Sequence, residues 1–202
     1  MVKPLFNILI LNFFCNVGCM PKKSSSSTTS SKLVGSWKSI CALSSKVGSS
    51  SQDTYVIEND TITWFKIGYT SLDCAGEKEY QYRILVSYGQ QVVPEIVPVR
   101  LNLELTFGKS YFTPLTLSGL DVGRAVDSNK TWVLNEEQEI SNSNFEVGKK
   151  IYDIAEVGSE ELCLGHSDET HDKTSPEKRP KSKSQDCFAK LTASSAKVPL
   201  SL

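Results

Sequence analysis

Hydrophobic and polar positions alternate along most of this chain. Tyr80, Tyr82, Ile84, Val86 and Tyr88 are interleaved with Gln81, Arg83, Leu85 and Ser87. Val99, Leu101, Leu103, Leu105 and Phe107 are interleaved in the same way with Arg100, Asn102, Glu104 and Thr106. A period of two sends successive side chains to opposite faces, so both segments predict half-buried strands with one wet face. Gly89-Gln90-Gln91 predicts a hairpin turn between them. Pro94 and Pro98 have no N–H to give to a ladder and belong at an edge, a bulge or a loop. Earlier strands are predicted at 33–43, 55–58 and 61–67, with Asn59-Asp60 turning the last two. Later ones are predicted at 132–134, 151–157, 161–164 and 187–191. A single weak helix is predicted from Leu117 to Val126, where Gly119 and Gly123 each cost about 1 kcal/mol of helix propensity relative to alanine. About eight strands joined mostly by short turns predict an all-β fold, a single antiparallel up-and-down β-barrel, because closing such a sheet removes its exposed edges.

The first residues break this pattern. Met1-Val2-Lys3 precedes an apolar run from Pro4 to Val17 that ends on Gly18-Cys19. The run is about fourteen residues long, against the roughly twenty that a membrane-spanning helix needs, and Asn7, Asn12 and Asn16 interrupt it. One cation, a short apolar core and then small residues is the layout of a secretory signal. With Asn16-Val17-Gly18-Cys19 as its box, the chain resembles bacterial lipoprotein precursors, although Asn16 stands where most such boxes have Leu. The resemblance implies that residues 1–18 are a signal peptide and that Cys19 carries diacylglycerol on its sulfur and a further acyl chain, such as palmitate, on its amino group. Several chains on one residue hold far better than one, since each buried CH₂ contributes about 0.8 kcal/mol. Residues 19–32 then form a tether: Ser24 to Ser31 offer no apolar side chain to offset the entropy of ordering. Lys22 and Lys23 suit anionic head groups. Met20 stands where an aspartate commonly holds such lipoproteins in the inner membrane, so the resemblance implies the outer membrane of a cell envelope. The alternative is an ordinary secreted protein, in which Asn59-Asp60-Thr61 and Asn129-Lys130-Thr131 become candidate glycosylation sites.

Residues 33–202, about 170 in all, suffice for one domain with a real core. The formal charge of −1 gives no basic field to attract nucleic acid. Beyond the signal and Cys19, Cys41, Cys74, Cys163 and Cys187 remain, an even set in an exported chain and therefore a disulfide framework. Of the three possible pairings, Cys41–Cys74 with Cys163–Cys187 is favoured because each joins neighbouring segments.

Leu33-Val34-Gly35-Ser36-Trp37 carries a Gly-x-Trp at the first predicted strand. It is followed by Cys41, by Cys74 ahead of the tyrosine-rich hairpin, by Thr113-Pro114 before an irregular segment, and by Trp132. Leu162-Cys163-Leu164-Gly165 and Arg179-Pro180 before the last strand complete the series. In this order the features resemble the small lipocalin-like lipoproteins of bacterial envelopes, in which the indole closes one end of an eight-stranded barrel. The chain departs from the better-known ligand-carrying lipocalins in lacking a Thr-Asp-Tyr segment and an arginine in the last strand.

Candidate chemistry is sparse. The two histidines, His166 and His171, lie in a polar loop with Asp168, Glu169 and Asp172, a set that could in principle hold a divalent metal. Lys173, Lys178, Lys181 and Lys183 would repel a cation there, so the loop reads as solvated and no metal or other cofactor is expected. There is no Gly-x-Ser-x-Gly elbow, phosphate-cradling loop or His-Glu-x-x-His, and the chain is not expected to be an enzyme. Two roles of different class remain. Trp64, Tyr80, Tyr82 and Tyr88 could line a pocket for a small apolar or amphipathic ligand; or the same side chains fill the barrel, and the module meets an envelope protein partner through its outer face. A cavity of several hundred cubic ångströms would favour the first.

Overall fold

The computed structural model describes residues 32–43, 48–94, 99–141 and 146–192. Its strands are β1 (Gly35–Ser39), β2 (Ala42–Leu43), β3 (Ser50–Ile57), β4 (Thr61–Tyr69), β5 (Lys78–Val93), β6 (Val99–Pro114), β7 (Gln138–Ile140), β8 (Lys150–Val157), β9 (Glu161–Leu164) and β10 (Phe188–Lys190). A helix, α1 (Leu117–Val126), lies between β6 and β7. Every pairing is antiparallel. β1 pairs with β3 on one side and with β10 on the other, so that β1, β3, β4, β5, β6, β8, β9 and β10 close on themselves. The fold is thus an all-β, lipocalin-like up-and-down barrel with one short helix. β2 extends along β3 and β7 along the far half of β6, both outside the ring.

The core follows the period-two reading. Leu101, Leu103, Leu105 and Phe107 of β6 face inward beside Ile84, Val86 and Tyr88 of β5, together with Ile57, Ile62, Ala155, Val157 and Leu162. Trp37 is fully buried among them. Its indole N–H donates to the Leu33 carbonyl at 2.9 Å, and Lys190 Nζ sits 5.3 Å above its ring, so the last strand supplies a lysine there. An indole buries at least about 150 Å², which at about 25 cal/mol per Å² contributes roughly 4 kcal/mol.

β5 and β6 run on past the level where β8 pairs. There Tyr80, Tyr82, Phe112, Trp132 and Ile140 form a second core, covered by Leu120, Val122 and Val126 of α1. Thr116 caps the helix, its hydroxyl accepting from the Gly119 N–H at 3.1 Å. The two glycines that weaken this helix are what let it dock. A Cβ on Gly119 would lie 2.1 Å from the Glu79 carbonyl oxygen, and one on Gly123 would lie 3.0 Å from the rings of Phe112 and Trp132. Gly119→Ala is therefore expected to destabilise the protein by about 1–3 kcal/mol through overpacking, although propensity alone predicts a gain of about 1 kcal/mol. Urea denaturation of the variant checks the sign.

Four local expectations are corrected. Gly89, Gln90 and Gln91 are strand residues opposite Glu104, Leu103 and Asn102; the hairpin begins at Pro94, where the ladder runs out of N–H groups, and Pro98 lies outside the described residues. Residues 132–134 are not a strand. The Trp132 indole donates to the Asp127 carbonyl at 3.2 Å as it closes the second core, and the pairing with β6 passes to β7. The first predicted strand, 33–43, divides into β1 and β2. β3 starts at Ser50 rather than Tyr55, because the buried Ser50 hydroxyl donates to the Ser71 carbonyl and accepts from the Cys74 N–H, which satisfies a polar side chain inside. Both favoured disulfides are present: Cys41–Cys74 ties the β1–β2 end to the β4–β5 loop, and Cys163–Cys187 ties β9 to the start of β10.

Candidate ligand cavity

The barrel is not filled. Between its inner faces lies a cavity of about 310 Å³. Twelve of its fifteen lining residues are apolar or aromatic, among them Tyr55, Ile57, Ile62, Trp64, Leu105 and Phe107; the others are Lys149, Asp153 and Lys173. Tyr55, Trp64, Ile151 and Leu164 are only partly buried, as side chains bordering an open interior should be. Trp64 is held by its indole N–H, which donates to Asp53 Oδ1 at 2.8 Å, and its ring meets Tyr55 edge to face at 5.7 Å between centroids.

The polar groups come from β8 and from the long β9–β10 connection. Ile151, Asp153, Ala155 and Val157 are the inward series of β8, so one carboxylate points into an otherwise apolar wall. Its Oδ1 accepts from the backbone N–H groups of Ile154 and Gly165 at 2.8 and 3.0 Å, and its Oδ2 from Lys173 Nζ at 2.7 Å. Burial pushes the Asp153 carboxyl above the usual carboxylate range, and the Lys173 ammonium works against that rise.

Lys173 reaches the cavity because β9 is too short to flank all of β8. Beyond its end the loop takes over the wall. The Tyr152 N–H donates to the Lys173 carbonyl at 2.9 Å, and Arg179 donates to the Asp153 carbonyl at 3.0 Å while lying over the Tyr152 ring. Lys173 adopts φ 65°, a left-handed conformation unusual for a long side chain and held here by these bonds. Tyr55 is the remaining polar group inside. Burial first, and then the charges of Asp53 and Asp153, push its phenol upward, so it stays protonated at neutral pH. Its hydroxyl makes no hydrogen bond among the described residues.

Of the four aromatic residues predicted to meet a ligand, Trp64 lines the cavity. Tyr80 and Tyr82 instead pack on Phe112, at 5.7 and 4.9 Å between ring centroids, beneath α1. Tyr88 is buried in the main core, and its hydroxyl donates to the Glu58 carbonyl in the β3–β4 turn at 2.8 Å. Sequence reasoning missed Tyr55, Lys149, Asp153 and Lys173. Asp153 carried a readable signal, a charge on the inward parity of an apolar strand. Lys173 carried none, since nothing local distinguishes it from the other loop lysines. Cys19 and the segment before residue 32 lie outside the described residues.

The histidine loop is organised around its own carboxylates. Asp168 accepts from the backbone N–H groups of Thr170 and His171 and from the Thr170 hydroxyl, with His171 Nδ1 at 2.9 Å. Asp172 accepts from Thr174 and from Lys178. These bonds hold both carboxyls below their ordinary range, Asp172 at about 2. Glu161, Cys163 and Cys187 also bring ligand-type atoms within 4.8 Å of one another, but the two sulfurs are bonded together and offer no thiolate. No protein-family model matches the sequence, and no curated protein matches it either.

Proposed function

We propose that the protein is a lipocalin-like lipoprotein of the cell envelope, anchored through Cys19, that carries a small apolar or amphipathic molecule in its barrel without catalysis. The cavity supports this reading best: about 310 Å³ of largely apolar space lies at the lower end of the range of small-molecule sites. A few polar groups at such a wall orient a ligand while the apolar lining supplies the affinity. The carrier role needs no cofactor, and the charge balance gives nucleic acid no hold. The anchor and the envelope location rest on the leader motif ending at Cys19 and on two disulfides, which suit an oxidising compartment.

Native mass spectrometry of the protein extracted from its own membranes, before and after denaturation, tests both halves of this reading. The expected result is a mature chain beginning at Cys19, heavier by its acyl groups, with a second discrete mass released on unfolding. A bare barrel that releases nothing would sink the carrier role in favour of a filled-barrel interaction module. A mature chain without added acyl mass would make the protein a secreted one.

A further inference from the structure

The ring leaves one strand edge open. β4 begins at Thr61, opposite Ser87, and the Asp60 carbonyl accepts from the Tyr88 N–H at 3.0 Å. β5 runs on to Val93 with β6 along its other side. Backbone polar groups alternate sides along a strand, so Gln90 and Val92, which share the parity of Tyr88, each turn an N–H and a carbonyl to the open edge. No backbone partner faces them there among the described residues. No charge, proline or bulge blunts the edge from Gly89 to Val93, and Val92 is 40% exposed. The fold itself does not call for Gly89, whose φ is not positive and whose Cβ would meet nothing within 4 Å. A glycine inside a strand often marks the close approach of another backbone.

We propose that this edge pairs with the same edge of a second copy of the chain, antiparallel about a two-fold axis at Gln91. In that register Gln90 lies opposite Val92 of the second copy and Val92 opposite its Gln90, and the two pairs exchange four N–H···O=C bonds. Val93 lies opposite Gly89, where no side chain obstructs it. Pro94 falls opposite Tyr88, so a residue without an N–H meets one whose N–H is already engaged, and the ladder ends where its donors do. Residues 89–93 carry no charge, so identical edges meet without repulsion. β1 opens at this end too: Gly35, Ile57, Ile62 and Val86 lie level across the sheet. The residues before Lys32 in both copies therefore emerge toward the junction rather than at opposite ends. The pairing is independent of what the cavity holds.

The test has two arms. Gln91→Cys sets two thiols on the axis as a non-hydrogen-bonded pair with about 4.5 Å between Cα atoms, close enough for a disulfide. Mild oxidation is expected to convert this variant to a covalent dimer. Leu117→Cys, 75% exposed at the other end of the barrel, should stay monomeric, as should the native chain, which serves as the blank for Cys15 and Cys19. Without a cross-link, so short a ladder buries less than the roughly 1,200 Å² of a stable interface, and sedimentation should show a weak, concentration-dependent dimer. Gln91→Glu and Gln91→Lys each oppose like charges on the axis and should weaken that dimer about fivefold, whereas their equimolar mixture should associate better than either alone. If Gln91→Cys cross-links no faster than Leu117→Cys, or the mixture associates no better than its components, self-pairing is overturned and the edge is left to an extended segment of a different protein.

Discussion

Replacing Asp153 with alanine is expected to cost about 3–5 kcal/mol of folding stability, among the largest effects of any single substitution here. The carboxylate is 2% exposed and its partner Lys173 19%. The variant leaves an ammonium facing an apolar cavity and removes one of the two acceptors of the Gly165 N–H, which also donates to the Ile154 carbonyl. Lys173 retains some access to water, so the loss should fall toward the lower end of the range. Much of it is recoverable. Asp153→Leu combined with Lys173→Met replaces the pair with apolar side chains of similar volume, and such exchanges are often neutral or stabilising. Urea midpoints of the single and double variants check both statements. A loss below about 1 kcal/mol in Asp153→Ala would mean that Lys173 swings into solvent and the loop no longer forms the wall.

Removal of the Cys163–Cys187 disulfide, as the double serine variant, should lower stability by about 3.5 kcal/mol, the loop-closure entropy for a sequence separation of 24. Removal of Cys41–Cys74, with a separation of 33, should cost about 3.7 kcal/mol. The two variants part company in their effect on the cavity. The first bond gathers the ends of the loop that brings Lys173 and Arg179 to β8, so its loss should weaken ligand binding as well as stability. The second ties the β1–β2 end to the β4–β5 loop, neither of which contributes a lining residue, and its loss should leave binding nearly unchanged in protein that remains folded. Denaturation midpoints and titration of the two variants separate these outcomes.

How far the sequence could be read follows from which interactions are local. The strand faces were legible because β5 and β6 are buried on one side only, and their periodicity survives in Leu101, Leu103, Leu105 and Phe107. The helix predicted from Leu117 to Val126 is present with those bounds, and Thr116 caps its start. The Gly89 turn was misread because a glycine and two glutamines suit a hairpin locally, whereas the register with β6 is decided over the whole ladder. Ser50 was missed because serines look like loop until their partners, Ser71 and Cys74, arrive from more than twenty residues away. The cavity failed to show for the same reason. Tyr80 and Tyr82 have the right parity to line it, but β5 outruns the ring and carries them under α1. Tyr55 and Trp64, on shorter strands, stay at its level.

The closure of the ring also sets an order of events. The partner of β1 on one edge is near in sequence, with Trp37 opposite Tyr55, whereas the other edge is closed by Lys190, close to the end of the described chain. Contacts this distant in sequence form only after a large loss of chain freedom, and proteins rich in them fold slowly. Until β10 arrives, β1 and β9 each present an unpaired edge and the Trp37 indole lacks its covering lysine. A newly made chain of this protein therefore passes through an open sheet before it becomes a barrel. In that interval its apolar inner face is open to water and the cavity does not yet exist.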